Sequence, residues 1–358
     1  MKLEYLFAIF ALIGISDKIL GNKFKIGDEF EKGFKMACPL ILSMAGLIVL
    51  TPVISKWLVL VFSGIVDFFG LDISVVATFF AVDSGGALIA YELAENKLVA
   101  AYNGLIVASM FGATICPVVS MALNMIDSKY HKEILTGFLC GFATIPVGCI
   151  ISGLMIKLPI LEILKNSAPT ILLSIIICIG LIKKPSVVQK ALSLVGTTIF
   201  IVMLIGLGIG IFDKLTGIKL IPGIAPIDDA ISIVGDITII LSGIFPLLAV
   251  IKKVCNKLFI KLGKLLDINI HSVTGLITTI ANCLPMFDFV DKMDHKGRII
   301  NFAFVVSSSF VFGDHLAFTL AFDKNFVIPL IVGKLASGIT AIVIANLIFN
   351  MQSRSQCN

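Results

Sequence analysis

A chain of 358 residues with 58% apolar and only 14% charged side chains has too little polarity to cover a soluble surface. Its mean hydropathy of +1.06 and continuous, non-alternating apolar runs exclude a soluble domain and argue against a strand-built barrel. The net charge of +5 requires no nucleic-acid partner, because in a membrane chain the placement of the lysines carries more information than their sum.

In chain order, apolar runs near the ~20 residues needed to cross a hydrocarbon core fall at 3–17, 36–55, 98–126, 134–156, 168–182, 190–212, 231–251, 299–322 and 326–350. The first follows one early lysine and precedes no small-residue cleavage site, so it reads as a retained span. Two stretches, 73–95 and 270–294, are too interrupted to be ordinary spans. Each follows a short amphipathic segment, WLVLVFSGIVDFFG and CNKLFIKLGKLL. The eight cysteines are scattered without a C-x-x-C pair and read as small buried hydrophobes, with no metal or disulfide role.

These pairs belong to an internal repeat. GLDISVVATFF at 70–80 resembles LLDINIHSVTG at 265–275, YNGLIVASMFGATICP at 102–117 resembles INFAFVVSSSFVFGDH at 300–315, and LTGFLCGFATIPVG at 135–148 resembles IVGKLASGITAIVI at 331–344. Upstream, LSMAGLIVLTPVISKW at 42–57 resembles ILSGIFPLLAVIKKV at 240–254. The organisation expected is 1–35, an N-terminal span and amphipathic loop; 36–156, repeat 1 with hairpin 73–95; 157–230, two linking spans; 231–350, repeat 2 with hairpin 270–294; and 351–358, a tail.

Charge placement decides whether the interrupted stretches cross. If both re-enter, leaving nine spans, one side collects 19 Lys/Arg and the other 8; if both cross, the division is 14 to 13. The positive-inside bias selects the first. The fold class predicted is therefore an all-α polytopic membrane protein with nine full spans and two re-entrant helical hairpins. An odd number of crossings per repeat makes the two repeats inverted, with the N-terminus outside and the C-terminus cytoplasmic.

Irregular backbone at membrane depth is tolerated only where protein or a wet cavity surrounds it. Asp83-Ser84-Gly85-Gly86 is the expected bend of the first hairpin, with Asn282-Cys283-Leu284-Pro285 its counterpart. Two such hairpins meeting near the midplane are the usual substrate site of secondary transporters. Ionisable residues within spans are candidates by default. Asp83 either binds substrate or caps the second arm. Asp314-His315 either binds or forms a self-neutralising buried pair. Asn103 and Asn301 occupy equivalent positions, where interhelical hydrogen bonding is the alternative to binding. Lys334 needs a carboxylate, which Asp236 could supply across the repeats, and Glu92 could simply reach the interface. No Walker lysine, H-E-x-x-H, G-x-S-x-G or C-x-x-C-H is present, so neither an enzyme nor an ATP-driven pump is expected. No cofactor is expected.

FEKGFKMACPLILSMAG, AVDSGGALIAYELA, TIPVGCIISGL, LPMFDFVDKMDHKGRIINFAFVVSSSFVFGDHLAF and FVIPLIVGKLASGITAI together resemble the ethanolamine permease (EutH) family of the bacterial ethanolamine-utilisation pathway, over almost the whole chain. The segment 213–230 is shorter than in that family, which more often carries a small hydroxyl residue at Asp236. The resemblance implies an inner-membrane facilitator for protonated ethanolamine. Ethanolammonium asks for a carboxylate plus an amide or hydroxyl, which Asp83, Asp314, Ser84, Asn282 and Asn103 can supply, with Gly85, Gly86 and His315 completing the expected substrate site. The partners expected are this small cation and the lipid bilayer; an oligomer is compatible with the pattern. The alternatives are an ion-coupled transporter of another small polar solute and a channel for small amines.

Overall fold

The computed structural model describes residues 3–79 and 86–357, and among them it is helical without strands. Among the described residues, six helical stretches are long and apolar enough to cross a membrane: Ile26–Phe68, Ser128–Met155, Ile160–Lys183, Pro185–Thr216, Ile227–Val254 and Lys324–Gln352. The remaining predicted spans are present as helices of different character. Leu3–Ile19 has 17 residues. The helix starting at Lys97 is widened by π-helical turns at Tyr102–Val107 and Thr114–Val118. The stretch predicted as one span over 299–322 is two helices, His295–Ser308 and Asp314–Phe322. A π turn inserts a residue into the hydrogen-bond ladder, and such turns collect at functional positions.

Helix contacts are set by small residues, since lipid offers no hydrophobic gain for helix association and close approach must supply it. A Cβ on Gly33 would lie 2.4 Å from the Ser242 backbone nitrogen, and one on Gly243 2.2 Å from the Phe7 carbonyl oxygen. Leu3–Ile19 and Ile26–Lys35 therefore pack closely on Ile227–Val254. Gly46 meets Met203 and Gly206 meets the Gly46 carbonyl in the same manner. In the second half Gly148 lies against the Gly333 carbonyl, fixing Ile145–Met155 on Val327–Cys357. Cys140 and Cys149 are buried in this packing.

The two amphipathic segments differ. Asn256–Leu266 is a separate helix, whereas residues 57–68 continue Gly46–Phe68 past Pro52 without a break. Each leads into an interrupted stretch. The first comprises a 3-10 helix, Ile73–Phe79, packed against Gly86–Leu93. The second comprises Ile270–Ala281, a break at Asn282, and the short helix Leu284–Phe287.

The second stretch ends close to where it begins. Asn269 donates its backbone N–H to Asp294 Oδ1 at 2.9 Å and its side-chain amide to the Lys292 carbonyl at 2.9 Å. Ser272 adds its hydroxyl to Asp294 Oδ1 at 2.6 Å. Residues 269 and 294, which flank the break at Asn282, are thus in contact. In the first stretch Ser74 and Asn103 are joined at 2.9 Å. At positions 198 residues later, Asn301 donates to the Ser272 carbonyl at 2.9 Å.

Candidate functional site

The second break and the unwound segment 309–313 meet. The helix His295–Ser308 stops at Ser309, and Phe310 takes a left-handed backbone conformation with φ 61°. A bulky residue there is strained and is held by its surroundings. Those surroundings are the end of Ile270–Ala281. Phe310 N–H donates to the Thr279 carbonyl at 3.1 Å, and Phe312 N–H to the Ile280 carbonyl at 2.9 Å. Backbone groups freed by one break are satisfied by the other, as an apolar interior demands. Gly313 completes the contact, since a Cβ there would lie 2.1 Å from the Ala281 carbonyl oxygen.

Around this junction lies a polar cluster. Asn282, half-buried, caps Leu284–Phe287 by accepting the Leu284 N–H on Oδ1 at 2.8 Å. Asp314 starts the next helix and accepts the His315 backbone N–H on Oδ1 at 2.9 Å. His315 is fully buried, and its Nδ1 lies 3.0 Å from Lys334 Nζ. Lys334 is fully buried as well and donates to the Ser109 carbonyl at 2.7 Å. The Asp314 carboxylate acts on it electrostatically. Three buried polar atoms here have no hydrogen-bond partner: Thr279 Oγ1, Ser309 Oγ and His315 Nε2. Unsatisfied buried groups are rare because each costs roughly 1–3 kcal/mol. Three of them lie at this one junction, among the described residues.

Next to the cluster, Ser337 bonds Ser307 at 2.7 Å and the Thr144 carbonyl at 2.9 Å. Thr144 lies between His131–Phe142 and Ile145–Met155, so the span predicted over 134–156 is also interrupted beside the site. Thr114, in the second π turn, gives its hydroxyl to the Val306 carbonyl. A cavity of about 780 Å³ approaches from one side, lined by Lys25, Glu29, Lys32, Lys252 and Lys253 and by Asn282, Pro285 and Phe312.

The expected site residues separate accordingly. Asp314, His315 and Asn282 come together. Asp83, Ser84 and Gly85 lie outside the described residues. Gly86 is buried at the start of Gly86–Leu93; Phe79, on the other side of 80–85, stacks edge-on against Phe111, two residues from Ser109. Asn103 lies in another cluster, where its amide serves Ser74 and Asn166 at 2.9 Å each. The suggested Lys334–Asp236 bridge is not formed: Asp236 is exposed, while Lys334 meets His315. The paired reading of Asp314 with His315 is likewise replaced, since the imidazole turns to Lys334. Glu92 is exposed. Thr279 and Ser109 carry no distinguishing pattern in the sequence; Ser309 closes the polar run Ser307-Ser308-Ser309 before Gly313.

The family model described as "Ethanolamine utilisation protein, EutH" matches residues 3–348. The chain is 43% identical over 341 residues to the "Probable ethanolamine permease EutH" of Listeria monocytogenes serotype 1/2a (strain 10403S), covering 95% of this chain and 91% of that protein. It is 35% identical over 353 residues to the "Uncharacterized protein YxeR" of Bacillus subtilis (strain 168), covering 98% and 95%. It is 32% identical over 391 residues to the "Probable ethanolamine permease EutH" of Salmonella typhimurium (strain LT2), covering 98% and 96%. No solved structure matches the chain.

Proposed function

Since the chain belongs to the EutH family of ethanolamine utilisation proteins, we propose that it is a permease moving protonated ethanolamine across a bacterial cell membrane, inward, to supply ethanolamine catabolism. The observation that carries this reading is the junction of the two unwound segments, with a carboxylate and three unpartnered buried polar atoms around it. Ethanolammonium brings three N–H donors and one hydroxyl. Asp314 and Asp83 are the carboxylates for the ammonium end; Asn282, Ser84, Thr279, Ser309 and the backbone about Gly85 and Gly86 are the neutral partners. Asn103, whose amide serves Ser74 and Asn166, acts as a support. No step asks for catalysis by a side chain, and a permease needs none.

The topology proposed has nine full spans and two re-entrant hairpins in inverted repeats, the N-terminus outside and the C-terminus cytoplasmic. The meeting of Asn269 with Asp294 supports re-entry. Contacts between segments assigned to one face support the grouping of the connecting segments into two faces. Lys253 reaches the Phe24 carbonyl at 2.6 Å, and Arg298 reaches Glu133 at 3.1 Å, all at the face proposed as cytoplasmic. Tyr91 bonds Asp323 at 3.1 Å and Lys56 lies near Gly223, at the opposite face.

Uptake of radiolabelled ethanolamine by liposomes containing the purified chain tests the function. Entry no faster than into protein-free liposomes refutes it. Stimulation of entry by unlabelled ethanolamine inside the liposome identifies a carrier, and its absence a channel.

A further inference from the structure

Lys334 and His315 form a buried pair to which the proposed reading gives no task. A lysine ammonium has three donors and no acceptor. It spends one donor on the Ser109 carbonyl at 2.7 Å. His315 Nδ1 lies 3.0 Å from it; with Lys334 as an ammonium, Nδ1 accepts and the proton of the imidazole sits on Nε2. That Nε2–H is buried and has no partner. The Phe310 ring lies beside it, its centre 5.3 Å from that of the imidazole.

An unpartnered donor selects for an acceptor. The ammonium end of a protonated amino alcohol has none, whereas its hydroxyl oxygen has two lone pairs. We propose that Lys334 is a positioning residue that locks His315 as an Nε2–H donor, and that this donor reads the hydroxyl of the substrate while Asp314 takes the ammonium. The inference rests on the permease reading and deepens it: the site selects small primary ammonium ions that carry a hydroxyl two carbons away, and rejects the alkylammonium of the same two-carbon chain that lacks it. A site built to hydrogen-bond a hydroxyl discriminates strongly against the analogue lacking it, because the buried donor is then left unmet.

The test is competition for radiolabelled ethanolamine uptake in liposomes by unlabelled ethanolamine and by ethylamine. In the wild-type chain ethylamine is expected to compete roughly 10- to 100-fold more weakly. Lys334→Met frees the ring to take either tautomer and should bring that ratio below about threefold while ethanolamine still enters. Lys334→Arg, a donor at every pH, should restore it. Uptake with an unchanged ratio in Lys334→Met, or no discrimination in the wild type, overturns this inference alone. Absence of wild-type ethanolamine uptake overturns the permease reading and this inference with it. Histidine-selective ¹⁵N spectra of the wild-type chain, with four histidines and His315→Gln for assignment, decide the matter even where Lys334→Met does not fold. A His315 ring protonated on Nε2 supports the proposal, and one protonated on Nδ1 overturns it.

Discussion

Asn103 donates its side-chain amide to the Ser74 hydroxyl at 2.9 Å, and 198 positions later Asn301 donates to the Ser272 carbonyl at 2.9 Å; within each pair the partners are 29 positions apart. The same staple thus ties the start of each interrupted stretch to the first turns of the helix that follows it. Space for the second staple is made by Gly275, where a Cβ would come within 2.3 Å of Asn301 Oδ1. The recurrence of this staple is what the repeat proposed from sequence leads one to expect.

Removing either amide leaves buried polar groups without their partner. Asn301→Ala and Asn103→Ala should each lower stability by about 1–3 kcal/mol. Thermal unfolding in detergent measures this. The two losses should add, because the sites share no partner; strong coupling between them would contradict two separate staples.

The junction of the unwound segments depends on backbone approach at Gly313, where an added Cβ meets the Ala281 carbonyl oxygen at 2.1 Å. No rotamer change relieves a clash with backbone. Gly313→Ala should cut uptake by roughly tenfold to a hundredfold, the scale set by misplacing a binding group by about 1 Å, while the protein still reaches the membrane. Gly235→Ala, where nothing lies within 4 Å, is the matched control and should transport as the wild type does.

Charge at the site is tested without a change of shape. Asp314→Asn keeps an oxygen for the His315 backbone N–H, and Asp83→Asn keeps a capping side chain, yet each removes an anion. Both should impair uptake in correctly inserted protein. Wild-type rates in Asp83→Asn would reduce that residue to a cap, and wild-type rates in Asp314→Asn would remove the ammonium partner assigned here.

Topology is read by labelling. In a background without native cysteines, Lys56→Cys and Lys97→Cys should react with an impermeant reagent from the same, outer face, because the stretch between them re-enters. Reaction from opposite faces would refute re-entry and the inverted repeat with it.

The substrate's own chemistry predicts a pH response. Neutral ethanolamine crosses a bilayer unaided, whereas its ammonium is barred by the cost of charge in hydrocarbon. Each unit fall in pH, well below the amine's pKa, cuts the neutral fraction about tenfold. Loss of the protein should therefore slow growth on scarce ethanolamine in acid medium and matter little in alkaline medium. An equal defect at both pH values, measured on parent and deletion strains, would favour coupled uptake over simple facilitation.

The sequence by itself determined the class and much of the plan. Apolar run length, which the bilayer thickness dictates, marked the membrane helices, and Asn282 with Pro285 marked the interruption of the second stretch. It also brought Asp314, His315 and Asn282 forward, since a polar residue in an apolar run is costly wherever it lies. Pairing was not legible. Lys334 could have met any carboxylate, and only the fold sets it against His315 and the Ser109 carbonyl while leaving Asp236 exposed. Nor could apolar periodicity reveal the unwinding at 309–313. Phe310 and Phe312 are as apolar as any helical neighbour, and their backbone N–H groups leave the helix because the carbonyls of Thr279 and Ile280, at the end of another helix, accept them. Local composition fixes which residues must be buried; which buried polar atoms then satisfy one another, and which are left for a guest, is decided by distances that only the tertiary structure sets.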